Sequence, residues 1–138
     1  CSGPLVVISA DTAISMMAVN AKQELVGGVI LPGPQLSLSA LVKNTAQLPQ
    51  IDLAAKAPAS ILGKSTSSCL QNGFVLGTAS LLDGLAERFC AELGPQTAFY
   101  ATGNLPIPIR EACCTPILYR ETLITDGLYR IWMKNKKG

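Results

Sequence analysis

Histidine is absent and charge is scarce: Asp, Glu, Lys and Arg make up 14% of the 138 residues, against roughly 25% in typical soluble domains. With no histidine and no Cys-x-x-Cys pair among five cysteines, a zinc site is not expected. Long apolar runs are missing too. Runs such as Gly3 to Ile8 fall far short of the ~20 residues that cross a bilayer, so no membrane helix is expected. Nor does Cys1 to Ala10 carry the basic leader of a signal peptide; its β-branched character suits a strand. Little charge, joined to an apolar fraction of 49%, points instead to a large surface buried against protein.

The net charge is only +2, and three lysines, Lys134, Lys136 and Lys137, crowd the end of the chain. Such a tail suits a solvated helix end whose cations face the negative end of the dipole. Aromatic and basic residues do not interleave elsewhere, so nucleic acid is not an expected partner. Among the cysteines, Cys69 and Cys90 fall in a helical pattern and read as small buried apolar residues. Cys113 and Cys114 are adjacent and cannot easily pair with each other, and they read as packing thiols. A reducing cytoplasm is the expected compartment.

The length suits one domain spanning residues 1–138. Three short β-branched runs open it, Leu5 to Ile8, Ile14 to Val19 and Glu24 to Leu31, separated by turn residues and expected to be antiparallel strands. Pro32-Gly33-Pro34 breaks the sheet, and Leu36, Leu38, Leu41 and Val42 predict a helix closing near Lys43–Asn44. After a Pro- and Ala-rich connector from Gln47 to Ser60, the longest helical pattern runs to Gly94-Pro95. Phe74, Thr78, Leu81, Leu85 and Phe89 define its expected inner face. Gly73 and Gly77, one turn apart within it, cost ~1 kcal/mol each relative to alanine and suggest close approach of another backbone. Thr97 to Ala101 predicts a buried strand running into the turn Thr102-Gly103-Asn104, and Pro116 to Tyr119 a last short strand. Leu123, Leu128, Ile131 and Trp132 predict a terminal amphipathic helix. The sum is mixed α/β, with helices packed on a sheet.

Two motifs invite chemistry. Gly63-Lys64-Ser65-Thr66 has the end of a phosphate-binding P-loop, but the glycine required five residues before Gly63 is absent, Pro58 standing there, which rejects that reading. Gly27-Gly28-Val29-Ile30-Leu31-Pro32-Gly33 ends a strand in a turn whose backbone a small molecule or second subunit could approach.

Taken together, the segments resemble the type III pantothenate kinases in order and spacing from about Leu5 to Ile131. The resemblance runs through Thr12-Ala13, Gly27-Gly28 to Pro32-Gly33, Leu41, and Thr45-Ala46-Gln47-Leu48-Pro49. It continues through Gly63-Lys64, Thr66, Gln71, Gly73, Gly77, Asp83-Gly84 and Arg88, then Ala101-Thr102-Gly103, Leu123 and Gly127-Leu128. It implies a ribonuclease H-like, actin-like ATPase half: three antiparallel strands followed by helices and further strands of a mixed sheet. The chain resembles the second of two such halves, between which these enzymes hold ATP. It further implies transfer of the ATP γ-phosphoryl to pantothenate in coenzyme A biosynthesis. Magnesium, a monovalent cation such as potassium or ammonium, and a dimer with pantothenate near the subunit interface are also implied.

Carried over by position, Thr12 and Ala13 resemble the family's second phosphate-binding turn, Gly103 its nucleotide-side glycine, and Thr66 the threonine that reaches pantothenate on the neighbouring subunit. Gly28, Pro32 and Gly33 fall in the expected interface region, and metal ligands stay unassigned. Residue chemistry alone favours Thr66 as a helix cap with Ser65, Ser67 and Ser68. Thr12 and Asp11 also suit an ordinary turn. Asp83 and Arg88, five apart, form no i,i+4 pair and read as solvated or interface residues. Tyr119, Tyr129 and Trp132 read as core or interface anchors.

Three departures accompany the match. The family's Asp-x-Gly-Thr-Ala turn is here Ser9-Ala10-Asp11-Thr12-Ala13, and the second glycine of its double-glycine turn is Asn104. The Asp-x-Gly-Asn turn and the Gly-x-Asp-Arg loop with the catalytic aspartate, which the family carries in its first half, are absent from this sequence. No catalytic residue is therefore expected in this chain, which is expected to be inactive alone and completed by a protein partner supplying that half. The sequence opens on Cys1, immediately before the first strand, which places an interface or a cut at the amino end as an expectation. The alternative is a non-catalytic subunit that completes a partner's pantothenate site.

Overall fold

The computed structural model describes residues 3–136; Cys1 and Lys137, which entered the expectations above, lie outside them. The elements are β1 (Leu5–Ala10), β2 (Ala13–Val19), β3 (Leu25–Pro32), α1 (Pro34–Lys43), α2 (Thr66–Leu93), β4 (Ala98–Gly103), α3 (Ile107–Ala112), β5 (Ile117–Tyr119) and α4 (Leu123–Asn135). This is the expected order, with β4 continuing into the anticipated turn as far as Gly103.

The five strands form one mixed sheet in the order β3-β2-β1-β4-β5. The first three are antiparallel, and β4 and β5 run parallel to β1. Alternation along β1 and β2 sends every second residue to one face. Register aligns them in rows: Ala18, Val6 and Phe99 in one, Met16, Ile8 and Ala101 in the next. Over these rows pack Leu38 of α1, Ile109 of α3, Leu53 of the connector, and Val75, Ala79, Leu82 and Ala86 of α2. Burial of such side chains contributes about 25 cal/mol per Å² of apolar surface and is the main driving force of the fold.

The inner face of α2 is turned by about one residue from the one expected. Val75, Ala79, Leu82 and Ala86 are buried, whereas Leu81 is exposed and Phe74, Leu85 and Phe89 flank the contact. The buried face joins the core with α1 and α3, and the bulkier Phe74, Leu85 and Phe89 pack at its flank. Cys69 is likewise exposed rather than buried, its thiol directed to the Gly63 carbonyl at 3.4 Å. Around the Cβ positions of Gly73, Gly77 and Gly84 there is open space. None of the described residues uses the close approach these glycines permit. No helix is long and apolar enough to cross a membrane among the described residues.

Candidate functional site

In open sheets, ligands sit outside the carboxyl ends of parallel strands. Here β1 and β4 end side by side at Ala10 and Gly103. Gly103 has φ +93°, and a Cβ there would collide with the Ala10 carbonyl oxygen, so a side chain is excluded twice over. The Ala10 carbonyl in turn accepts the Asn104 N–H at 2.5 Å. From the other side, the Gly33 N–H donates to the Thr12 carbonyl at 2.9 Å, and a Cβ on Gly33 would strike the Asp11 and Thr12 carbonyls. The β1–β2 turn, the start of α1 and the end of β4 are thereby locked together.

A groove of about 420 Å³ opens at this junction, with Asp11, Thr12 and Asn104 on one wall and Gln35, Ser39 and Asp52 opposite. Thr12 is exposed, and its hydroxyl has no hydrogen-bond partner among the described residues. Sequence reasoning had placed Thr12, Ala13 and Gly103 in one nucleotide-facing region, and the fold brings these turns together. Pro32 and Gly33 join them, Gly33 as a packing partner of the turn. Gly28 lies further along β3, where a Cβ would collide with the Met16 carbonyl and the Met17 sulfur, so close strand packing accounts for that glycine.

Thr66 stands apart from this groove. The 28 residues of α2 span about 42 Å, whereas the 6 residues of β4 span about 20 Å. The amino end of the helix therefore lies beyond the strand ends. Ser65 is its cap: its hydroxyl accepts the Ser68 N–H at 3.2 Å, while the Ser68 hydroxyl accepts the Ser65 N–H at 2.9 Å. Thr66 takes no part in the capping box, and its exposed hydroxyl has no partner among the described residues.

Two polar anchors escaped the sequence. Asn72, nearly buried on α2, donates to the carbonyls of Ser60 and Ile61 at 2.7 and 3.3 Å and ties down the loop before the helix. Asp83 accepts the N–H groups of Cys114 and Thr115 at 2.9 and 2.8 Å. Partial burial opposes ionisation of its carboxyl, but these two backbone donors outweigh that and hold its pKa below the usual carboxylate value. The neighbouring Cys113 thiol is pushed up to about 11 by burial, and by the charges of Asp83 and Cys114. Cys113 packs against the core, as expected, whereas Cys114, expected to pack as well, is exposed. Beyond this loop the Tyr119 hydroxyl donates to the Gly103 carbonyl, and the Arg110 guanidinium lies 3.8 Å over the Tyr119 ring. A chain of contacts thus supports the Gly103 turn from behind.

The strand order and the crossover through α2 define an α/β domain with a mixed five-stranded sheet, the expected three antiparallel strands followed by helices and further parallel strands. A solved Campylobacter jejuni structure described as a Baf family transcriptional activator shares this fold, with a TM-score of 0.68 over 99% of this chain and 60% of that one, at 20% identity. Residues 1–88 match the type III pantothenate kinase family. The type III pantothenate kinase of Koribacter versatilis is 38% identical over 137 residues, covering 99% of this chain and 49% of that protein. That of Solibacter usitatus is 35% identical over 133 residues, covering 96% and 50%. The chain belongs to the type III pantothenate kinase family, and it spans about half the length of the curated relatives it matches.

Proposed function

We propose that this chain is the C-terminal portion or subunit of a type III pantothenate kinase, transferring the ATP γ-phosphoryl to pantothenate in coenzyme A biosynthesis. The observation that carries this reading is a family match along nearly the whole chain that covers only 49% of the Koribacter versatilis relative. The catalytic base then comes from the half that this chain lacks, on another chain or in a missing segment, and the chain alone is inactive. Phosphoryl transfer needs ATP held in line with a hydroxyl and a group to orient or deprotonate that hydroxyl.

In this reading Thr12 and the turn through Ala13 meet the nucleotide phosphates, Gly103 lets the nucleotide approach β4, and Thr66 reaches pantothenate across a subunit interface near Gly28, Pro32 and Gly33. Magnesium and a monovalent cation belong to the complete cleft. Among the described residues no cluster of three or more His, Cys, Asp or Glu could hold a metal by itself.

The second reading, a non-catalytic subunit completing a partner's pantothenate site, is favoured by two of the departures, because Asp11 and Asn104 both line the groove. A carboxylate there repels phosphate. The test is ATP-dependent phosphorylation of pantothenate by this chain alone and with the missing half. Activity only in the combination supports the first reading; a complex without turnover supports the second.

A further inference from the structure

The turn that ends β4 depends on one peptide group, the link between Gly103 and Asn104. Its N–H, on Asn104, donates to the Ala10 carbonyl at 2.5 Å, and its C=O, on Gly103, accepts the Tyr119 hydroxyl. The second bond stands in for missing strand. β4 and β5 are parallel with Ala101 opposite Tyr119, and the Ala101 carbonyl accepts the Arg120 N–H at 2.7 Å. Carbonyls facing the same neighbour recur every second residue, so the next acceptor is Gly103. β5 has already ended at Tyr119, and the chain turns away towards α4. The phenol reaches forward and supplies the donor that a longer strand would carry on its backbone.

With the Ala10 bond alone the peptide could still pivot, because Gly103, at φ +93° and without a Cβ, offers little resistance in φ and ψ. The bond at the opposite end removes that freedom. Asn104 is what a pivot would move, and it is exposed on the groove wall beside Thr12.

Arg110 holds the phenol in its turn. Its guanidinium lies 3.8 Å over the Tyr119 ring, and its Nε–H donates to the Leu105 carbonyl at 2.8 Å. No acidic side chain pairs with it among the described residues. A cavity of about 100 Å³ adjoins the pair, lined in part by Leu105, Thr115 and Ile117. Close packing therefore does not fix the ring from every side, and the polar contacts set its position. A planar guanidinium stacks on an aromatic face and hydrogen-bonds in its own plane at once, which an ammonium does not. The segment from Gly103 to Leu105 is thus held from β1, from β5 and from α3.

We propose that Tyr119 and Arg110 are positioning residues for the nucleotide, fixing the Gly103–Asn104 peptide so that Asn104 is presented to ATP in the groove at Thr12. Neither side chain lines that groove, so each acts through the peptide. The proposal rests on the kinase reading above for its ligand, and on these contacts for the device.

The test uses Tyr119→Phe, which keeps the ring under the guanidinium and removes only the hydroxyl, and Arg110→Lys, which keeps the charge and removes the in-plane donor. In the chain itself, amide exchange at Asn104, followed by NMR, should speed up roughly fivefold in each, while Val7 and Ile8 in β1 keep the parent rate. Turnover is then measured with the portion of the Koribacter versatilis enzyme that this chain does not match. The Michaelis constant for ATP should rise roughly five- to tenfold in each variant, with kcat and the constant for pantothenate within about twofold of the parent. A merely structural brace would lower the unfolding midpoint and leave the ATP constant alone. That result, an unchanged Asn104 amide, or an equal rise in both constants overturns the proposal and leaves the kinase reading standing. If Asn104 loosens but the parent mixture neither binds ATP nor phosphorylates pantothenate, the kinase reading is what fails, and the nucleotide role falls with it.

Discussion

The carboxylate of Asp83 accepts the N–H of Thr115 at 2.8 Å across 32 residues of sequence, and the adjacent N–H of Cys114 at 2.9 Å. The middle of α2 is thereby bound to the loop that launches β5, and β5 carries the Tyr119 hydroxyl to the Gly103 carbonyl. One exposed-looking acid thus supports the turn that faces the groove.

Asp83→Ala should destabilise the chain by about 1–2 kcal/mol, a charged hydrogen-bond pair discounted for solvent exposure, read from the urea midpoint. The pH dependence has a definite sign. Because folding lowers this carboxyl's pKa, its contribution is complete above the ordinary carboxylate value and is lost as pH falls through the lowered one. Below that window, parent and Asp83→Ala should converge in stability.

The Cys113 thiol should follow the opposite rule. Raised to about 11 from 9.0 by burial and by the charge of Asp83, it favours the folded state below pH 9.0, and that contribution fades as pH rises toward the folded value. Alkylation at pH 8 should modify Cys114 well before Cys113, and Asp83→Ala should speed the reaction of Cys113. Mass spectrometry of the digested chain gives both rates.

Much of this was legible because strands report their faces by alternation. Val6, Ile8, Ala10, Ile14, Met16 and Ala18 are all buried, as a two-residue period demands. The inner face of α2 was not legible, since Val75, Ala79, Leu82 and Ala86 are buried while Phe74, Leu85 and Phe89 flank them; with apolar residues on two neighbouring faces, hydrophobic weight alone points to the flank. Asp83 left no signal either, because its partners are backbone N–H groups, which every residue but proline carries. At the candidate site, the turns around Thr12 and Gly103 were read from their motif, whereas the lock between Gly33 and the Thr12 carbonyl needed the three-dimensional register.

Gly103→Ala should be costly for a local reason. It places a Cβ at φ +93° against the Ala10 carbonyl, for about 1–3 kcal/mol. Because Asn104 and Tyr119 both bond to this junction, the same change should weaken nucleotide binding by the assembled enzyme more than pantothenate binding. Calorimetry with ATP and with pantothenate separately would show the difference.

Asp11→Gly should act in the favourable direction. The carboxylate lies on the groove wall beside Thr12, where it meets phosphate with like charge, at about 1 kcal/mol for a solvent-exposed pair. ATP affinity of the complex should rise roughly fivefold at low salt, and less at high salt as the repulsion is screened. An unchanged affinity at every ionic strength would place the nucleotide elsewhere.

Thr66 and Ser65 separate substrate contact from helix capping, although they are neighbours. Ser65→Ala removes the cap of α2 and should cost about 1 kcal/mol of stability, with little effect on the Michaelis constant for pantothenate. Thr66 stands outside the capping box, and its hydroxyl has no partner within the described chain. Thr66→Ala should therefore leave the unfolding midpoint within about 0.5 kcal/mol of the parent and raise the Michaelis constant several-fold at unchanged kcat. A loss of stability without a kinetic change would return Thr66 to a structural role at the helix start, and the hydroxyl that meets pantothenate would then be sought on the other wall of the cleft.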